Sequence, residues 1–493
     1  MDHGTTPPMA SSNRHDPQWM KRHVDRVLFV ALDGATFDVL VPLAEAGVMP
    51  HLAALLQTSA LVRTHNGDAP SAATAWSTLR TGCGPETHEV LDDHYLDHRR
   101  RMILPTVSRP VPCPTLAERV MTADPQGLAI SMFDTRAAIA IWNRKPTDLV
   151  ALDAGLMRIE EELHYTVSRA YQVDASNDWR LLEVRLDVLD ALQHRLWNAM
   201  GVAGAATRGN AWVRRVQQAL RCLDNQIGEL TDLADRRNAA MVLASPYGFG
   251  PLREKINLFE LLRRGRLIRR ARPIRRASYE LARLARRGVQ WVGRQLHVPP
   301  LPPRRWYPTR RLLPINWRRS QALTLHGEMS ALVYLNTPER FATKAILTSR
   351  QQDQAMQDVL AALTEARHPL TGETLFHEVY ATAERFSGNP LSRLWPDVIA
   401  RPAPGFQVRH QPDRMGQLVR GDESLTATHY AEGMLMIRAP GVALGRAYRG
   451  NLVDVAPTIL DLLDLPPAPS MTGRVLDEIF SGTAAAIVPI ENG

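Results

Sequence analysis

Cysteine, lysine and long apolar runs are all scarce in this sequence of 493 residues. The three cysteines, Cys83, Cys113 and Cys222, are far apart and form no Cys-x-x-Cys pair, so neither a disulfide framework nor a cysteine-based zinc site is expected. No run of about 18 apolar residues occurs, and we expect no membrane-spanning helix. No apolar segment precedes Val27, so no secretory signal is expected. We therefore expect a cytoplasmic protein. A peripheral association with a membrane surface is the alternative.

Positive charge comes almost wholly from arginine. The 59 basic residues exceed the 51 acidic residues, giving a formal net charge of +8, and only four of the basic residues are lysine. Arginine keeps its charge and makes bidentate contacts with phosphate or carboxylate groups. A positive net charge is typical of a protein whose partner is an anionic substrate, an anionic membrane surface or a nucleic acid. The charge alone does not distinguish among these partners.

Composition divides the chain into four predicted segments. Residues 1–23 are polar and predict a disordered tail, whereas 24–250 and 330–493 alternate apolar runs with helical patterns. This alternation predicts an α/β core with a largely parallel sheet. Residues 251–329 are predicted to be an insertion or cap, because 263–319 contain eighteen arginines and a single acidic residue.

Apolar periodicity predicts the main elements of the core. Short apolar runs predict buried strands at Arg26–Leu32, Gly127–Met132, Ala239–Ser245 and Ser330–Leu335. Helical patterns are predicted at Phe37–Ala46, Pro50–Thr58, about 154–235 and 451–463. Asp33 follows the first strand, at the carboxyl edge where α/β sheets usually place their chemistry.

Candidate functional residues occur in five separate segments of the chain. These are Leu32 to Thr36; Pro70 to Gly82, followed by Pro85 and His88; Asp190-x-x-x-His194; Ser245 to Gly250; and Thr428-His429 with Gly433. Their order resembles that of the alkaline phosphatase superfamily, in its type I phosphodiesterase/nucleotide pyrophosphatase branch, which also includes predicted phosphohydrolases and phosphomutases. The resemblance spans about residues 26 to 480 and implies a three-layer α/β sandwich with a mostly parallel central sheet.

The resemblance implies a metal-dependent hydrolase of phosphoric esters, either phosphodiesters or pyrophosphates. The family uses two divalent ions, of which zinc suits carboxylate and imidazole ligands, and a Thr or Ser oxygen attacks phosphorus. Carried over to this chain, Asp190, His194 and His429 are ligands of one ion, and Asp33 is a ligand of the other. Without the resemblance, Asp190 and His194 would be typical of a structural ion pair on a helix, and Asp33 of a helix cap.

The second half-site departs from the family pattern. Where the family has Ser-Asp-His-Gly, this chain has Pro246 and Tyr247 in place of the Asp and the His. Proline has no side-chain ligand atom, and neutral tyrosine is a poor ligand. These departures lie on one metal position, which predicts one bound ion rather than two.

The nucleophile segment and the motif that follows it also depart from the family. The family's nucleophile position aligns with Ala72, so Ser71 and Thr74 are the neighbouring candidates, and each would need a local shift to serve. A turn serine after Pro70 is the alternative interpretation of Ser71. The family's His-Gly pair is His88-Glu89 in this chain.

Two functional hypotheses remain open. The first is a phosphoric-ester hydrolase with one half-site eroded. The second is a catalytically inactive superfamily member that binds or regulates an anionic partner. The Arg-rich insertion suits an anionic substrate, an anionic membrane surface or simply a solvated basic face. No recognised nucleic-acid motif accompanies it.

Overall fold

The computed structural model describes residues 22–67, 69–97, 102–106, 111–133, 145–200, 210–270, 315–316, 318–325, 327, 329–341, 348–386, 395–410, 416–421 and 425–481. Nearly all of the predicted tail and the central part of the predicted Arg-rich insertion, residues 271–314, lie outside the described residues.

The strands of the described residues are numbered in chain order. They are β1 Val27–Leu32, β2 Ala60–His65, β3 His94–Asp97, β4 Met102–Pro105, β5 Leu128–Met132, β6 Trp179–Leu186, β7 Ala240–Ser245, β8 Gly248–Pro251, β9 Glu254–Asn257, β10 Ala322–Leu325, β11 Ala331–Leu335, β12 Phe376–Ala381, β13 Val398–Pro402, β14 Phe406–Arg409, β15 Val419–Gly421, β16 Ala427–Tyr430, β17 Glu432–Arg438 and β18 Ala447–Asn451.

The α-helices of the described residues are numbered in the same way. They are α1 Phe37–Glu45, α2 Pro50–Thr58, α3 Ala72–Thr81, α4 Pro85–His88, α5 Leu116–Ala123, α6 Leu149–Ser176, α7 Val188–Leu196, α8 Ala211–Arg236, α9 Leu258–Arg264, α10 Pro338–Phe341, α11 Ser349–Thr364, α12 Thr382–Arg385, α13 Val455–Leu462 and α14 Glu478–Ser481.

A seven-stranded sheet with the order β18-β2-β17-β7-β1-β6-β5 forms the centre of the fold. β1 lies between β6 and β7 and runs parallel to both. β5 is parallel to β6 and β18 is parallel to β2, whereas β17 is antiparallel to its two neighbours. The predicted α/β fold with a mostly parallel central sheet is therefore confirmed.

Alternate side chains of β1 enter hydrophobic cores on opposite faces of the sheet, as the two-residue period of a strand requires. Leu28, Val30 and Leu32 pack in the core that includes residues of α6 and α8. Val27, Phe29 and Ala31 pack in the core that includes residues of α3, α5 and α13. The sheet is thus covered by helices on both faces, which accounts for the uninterrupted apolar run of β1.

The stretch predicted to be mostly helical, about 154–235, also contains a strand that the prediction missed. β6 occupies Trp179–Leu186, next to β1 in the sheet, and it separates α6 from α7 and α8. The charged residues Glu183 and Arg185 interrupt its apolar pattern, although Glu183 is only 1% exposed. The predicted strands at β1, β5, β7 and β11 are confirmed, but β5 is only partly buried because it lies at the edge of the sheet.

A second, four-stranded sheet with the order β10-β11-β13-β12 has a hydrophobic cluster of its own. That cluster draws apolar residues from α9, α11, β9 and β14 as well as from the sheet itself. Segments on both sides of the predicted boundary at 330 therefore contribute to one cluster. The four-segment division of the chain stays a prediction.

Two of the three cysteines are paired, contrary to the expectation from their spacing. Cys83 and Cys113 form a disulfide across 30 residues of sequence, and Cys222 is a free thiol. The loop after α3 and the segment before α5 meet through the tertiary fold, which sequence spacing does not show. Within the described residues, no single helix is long and apolar enough to cross a membrane; α1 and α2, which are bent by 115°, pass that criterion only as a pair.

His88 joins the end of α4 to α3 inside the protein. The Val90 N–H donates to Nδ1 of His88 over 3.0 Å, so Nε2 carries the proton and donates to the Thr78 hydroxyl, 3.1 Å away. Burial lowers the pKa of His88 to about 3. Glu89 follows with a φ of +56°, a left-handed conformation that glycine, the family's residue here, adopts with less strain.

We expect His88 to make the protein less stable in acid. Its pKa in the folded state lies below the unfolded value of about 6.5, so only the unfolded chain takes up the proton between those two values. The free energy of unfolding should fall as the pH decreases from 6.5 towards 3, by up to about 1.4 kcal/mol per pH unit from this group.

Urea unfolding of the wild type and of His88→Gln at several pH values would check this. The stability advantage of the wild type should shrink as the pH falls, because glutamine does not titrate. His164→Gln, at an exposed position on α6, is the matched control and should leave the pH dependence unchanged. A stability difference for His88→Gln that is constant from pH 7 to pH 4 would contradict the assignment.

Candidate metal centre

The carboxyl ends of β1, β6 and β7 are tied together at one edge of the central sheet. The Asp33 N–H, directly after β1, donates to the Leu186 carbonyl at the end of β6 over 3.0 Å. The Ala35 N–H donates to the Ser245 hydroxyl at the end of β7, also over 3.0 Å. Parallel strands bring their carboxyl ends to a common edge, and polar residues that follow each strand therefore meet there.

Gly34 allows the turn after β1 to be covered closely by neighbouring side chains. Its φ is +78°, and a Cβ at this position would lie 2.6 Å from Phe249 and 2.8 Å from Gln193. The Gln193 side-chain amide donates to the Gly34 carbonyl over 2.7 Å. Because Gln193 belongs to α7, this bond docks α7 onto the turn.

Asp190 and His194 lie on one face of α7, one helical turn apart, as their spacing predicts. His429 comes from β16, which pairs antiparallel with β8 so that His429 is opposite Phe249. The Thr426 N–H, just before β16, donates to the His194 carbonyl over 2.8 Å. The helix and the strand are therefore fixed relative to each other, although Asp190 and His429 are 239 residues apart.

The three side chains converge on one small volume. Donor atoms of Asp190, His194 and His429 all lie within 4.8 Å of one another. Nε2 of His429 is 3.0 Å from Oδ1 of Asp190, and Nε2 of His194 is 3.7 Å from the same oxygen. The sequence names these residues from three separate positions, and the structure brings them together.

The surroundings set the orientation of the imidazole rings. Nδ1 of His194 is 3.2 Å from the Ala427 carbonyl, an acceptor that places the proton on Nδ1 and leaves Nε2 to face Asp190. The ring of Phe249 lies 4.7 Å from that of His194 and 4.6 Å from that of His429. Tyr247 covers His429 with a centroid separation of 4.4 Å.

The donor set fits a divalent ion of the zinc type. Two imidazole nitrogens and one carboxylate oxygen are the three protein ligands of many catalytic zinc sites, where a fourth position stays open. The Ala427 carbonyl accepts from the ring nitrogen of His194 that faces away from the ion position, as is usual for histidine ligands.

At the position that the resemblance gives to a second ion, the Asp33 carboxylate is paired with an arginine. Asp33, which is 1% exposed, accepts from the Arg185 guanidinium, with 2.7 Å between Oδ2 and Nη2. Nε of Arg185 lies 2.5 Å from Oδ1 of Asp187. Pro246 supplies no ligand atom, so Asp33 is the remaining member of the carboxylate and imidazole ligands that the family resemblance implies for this half-site. These residues do not fit a second ion.

Tyr247 and Trp76 enclose the Asp33–Arg185 pair. The indole N–H of Trp76 donates to the Tyr247 hydroxyl over 3.1 Å, and the Arg185 guanidinium carbon lies 4.0 Å from the centroid of the Trp76 ring. Burial, followed by the charge of Asp33, raises the pKa of Tyr247 well above its usual value, so the phenol stays neutral. Burial and then the charge of Asp190 raise the pKa of Asp33 to about 7, against the opposing effect of Arg185. The pKa of Asp33 is thus raised even though Arg185 pairs with it, because its carboxylate is buried and lies near Asp190.

The two candidate nucleophiles lie at the amino-terminal end of α3. Ser71 is the N-cap residue of this helix, and its hydroxyl accepts from the Thr74 N–H over 3.2 Å. The two side-chain oxygens are 3.1 Å apart, and both residues are buried. Ser71 thus has the structural role of a cap, while Trp76 in the same helix reaches the Asp33–Arg185 pair.

Sequence reasoning missed Arg185 and Asp187 altogether. Arg185 lies in the stretch predicted as helix, where an arginine is unremarkable. Its position beside Asp33 depends on the parallel pairing of β1 with β6, in which Ala31 is opposite Arg185. A signal was present in the charged pair Glu183 and Arg185 within an otherwise apolar octapeptide, since buried charges usually have partners.

The central sheet and the side chains at its carboxyl edge are those of a phosphoester hydrolase-like fold. Residues 27–423 match the type I phosphodiesterase / nucleotide pyrophosphatase family, and the chain belongs to that family. No curated protein matches the sequence significantly.

Solved structures with similar folds come from human and mouse. Human ectonucleotide pyrophosphatase / phosphodiesterase 5 superimposes with a TM-score of 0.51 at 11% identity, over 94% of this chain and 100% of that chain. The murine protein of the same name gives a TM-score of 0.48 at 13% identity, over 90% of this chain and 96% of that chain. At 11% identity the likeness to the human protein establishes the fold alone.

Alanine substitution of His194 or His429 should remove bound metal, because each supplies one of three ligands. Metal content after incubation with zinc and gel filtration, measured by elemental analysis, should fall from about one ion per chain to a small fraction of that. His164→Ala is the control, since that imidazole is exposed on α6. Unchanged metal content in both ligand variants would refute the assignment of these residues.

Proposed function

We propose that this protein hydrolyses phosphoric esters, as phosphodiesters or pyrophosphates, with one divalent ion held by Asp190, His194 and His429. The observation that carries the proposal is the convergence of these buried side chains within 4.8 Å. A carboxylate and two imidazoles from a helix and a distant strand have no need to converge for packing alone. Membership of the family supplies the reaction class.

The bound ion would supply positive charge that polarises a phosphoryl oxygen and lowers the pKa of a water molecule. The protein's own part is to hold the ligands and to restrict water. The Ala427 carbonyl fixes the ring of His194, while Phe249 and Tyr247 cover the imidazoles with apolar surface. Such a dry, fixed site makes electrostatic stabilisation of a charged phosphoryl group stronger than it is in water.

Ser71 is the first candidate for nucleophile, and Thr74 is the second. Support for Ser71 comes from its position at the start of the helix that carries Trp76, next to the site. Its hydroxyl already accepts the Thr74 N–H and lies 3.1 Å from the Thr74 hydroxyl, with which it can share a hydrogen bond. A direct attack by water, without a covalent intermediate, is the alternative.

An aryl phosphodiester assay of the zinc-loaded protein tests the proposal. The wild type and His164→Ala should hydrolyse bis(p-nitrophenyl) phosphate, and His194→Ala should lose about 100-fold or more in rate, because Lewis-acid polarisation contributes several kcal/mol. Ser71→Ala should lose a comparable factor if Ser71 attacks, and Thr74→Ala if Thr74 does. Activity that survives both changes would assign the attack to water.

The second candidate function is a catalytically inactive binding or regulatory protein. The replacement of two family ligands by Pro246 and Tyr247, and the packing of Tyr247 against His429, favour it. A wild-type protein that binds zinc but hydrolyses neither phosphodiesters nor pyrophosphates would support this function. The partner would then be an anion or an anionic membrane surface, suited to the Arg-rich segment.

A further inference from the structure

We propose that the Arg185 guanidinium is a built-in cation that takes the place of the second metal ion, so that this protein binds one divalent ion per chain. This role of Arg185 adds to the proposed function. It rests on that function only in requiring an ion at Asp190, His194 and His429. Arg185 is a positioning residue: it holds Asp33 and excludes a second ion.

The geometry around Arg185 is that of a cation held between ligands. Its Nη2 atom is 2.7 Å from Asp33, and its Nε atom is 2.5 Å from Asp187. Both carboxylates are nearly inaccessible, with 1% and 5% of their side chains exposed, whereas 20% of the Arg185 side chain is exposed. A planar guanidinium presents several donors at fixed angles and so can bridge two carboxylates at once.

An aromatic ring also packs against the face of the Arg185 guanidinium. The Trp76 ring lies under it at 4.0 Å, and Trp76 is in turn fixed by its bond to the Tyr247 hydroxyl. Arg185 therefore has two carboxylates in contact with its donors and an aromatic ring against its face. A side chain held in this way does not readily leave to admit an ion.

Tyr247, which stands where the family has a histidine ligand, is positioned as part of this arrangement. The Ser245 hydroxyl donates to the Tyr247 carbonyl over 2.8 Å. A Cβ at Gly433 would lie 2.2 Å from the Ser245 carbonyl and 3.0 Å from the Tyr247 nitrogen, so β17 packs directly against this segment. The tyrosine is thereby held in the orientation that braces Trp76, in a position that offers an ion no imidazole.

Electrostatic repulsion gives the physical reason why Arg185 and a second ion exclude each other. A divalent cation bound by Asp33 would share that carboxylate with a fixed positive charge, in a buried site where charges interact strongly. It would also have to replace a contact of 2.7 Å that the carboxylate already makes. We therefore expect the restoration of ligands alone to be insufficient for a second ion.

Zinc stoichiometry of four proteins tests the inference, measured by elemental analysis and by calorimetric titration. They are the wild type, Pro246→Asp/Tyr247→His, Arg185→Met, and the triple variant that combines all three changes. The expected stoichiometries are one ion for the wild type, one for the double variant that keeps Arg185, one for Arg185→Met, which lacks the restored ligands, and two for the triple variant. Arg180→Met is the control, since Arg180 lies on the same strand and pairs with Asp124 at the opposite end.

Thermal melting provides a readout that does not depend on the rebuilt ligands. Arg185→Met leaves Asp33 and Asp187 buried without their cation, so its melting temperature should fall below that of the wild type, and Arg185→Lys should recover part of the loss by keeping the charge. If Arg185→Met does not fold, the wild type and the double variant still decide the question.

Two ions in the wild type, or in the double variant that keeps Arg185, would overturn the inference, as would a single ion in a folded triple variant. No ion in any of the proteins would overturn both the inference and the proposed metal centre. One ion with no hydrolysis would support the role of Arg185 and refute the proposed catalytic function. Two ions in the wild type together with hydrolysis would refute the role of Arg185 and support the proposed catalytic function.

Discussion

The site depends on one constraint, which is that buried negative charge at the carboxyl edge of the sheet must be matched by positive charge. Asp33, Asp187 and Asp190 are all nearly inaccessible to solvent. Removing a carboxylate from water is costly unless a cation or several donors compensate it. Arg185 bridges the first two, and the proposed ion at Asp190, His194 and His429 completes the balance.

The fold creates this constraint before any ligand is involved. β1, β6 and β7 are adjacent and parallel, so Asp33 after β1, Asp187 after β6 and Ser245 at the end of β7 meet at one edge. α7 begins immediately after β6 and is docked on the turn after β1 through Gln193. Asp190 is consequently brought to the same edge, where its charge adds to the effect of burial in raising the pKa of Asp33.

The sequence predicts those features that depend on local pattern or on family order, and it misses those that depend on tertiary pairing. The apolar runs of β1 and β7 are sufficient to predict buried strands, and the five ordered motifs predict the fold and name Asp190, His194 and His429. β6 escapes detection because Glu183 and Arg185 interrupt its hydrophobic pattern. The contacts of Arg185 with Asp33, and of Cys83 with Cys113, follow from strand order and loop packing, which have no signature in sequence spacing.

The departures from the family motif are consistent with a single exchange of charge in the proposed one-ion site. Pro246 is uncharged where the family has an aspartate, and the Arg185 guanidinium places one positive charge beside Asp33. One carboxylate fewer and one guanidinium together offset as much negative charge as one divalent ion would. Tyr247, an uncharged side chain, then holds Trp76 in place through its hydroxyl. A histidine at this position would have no second metal ion to bind. The absence of two family ligands and the presence of Arg185 beside Asp33 therefore fit one arrangement, in which the proposed ion site of Asp190, His194 and His429 is complete.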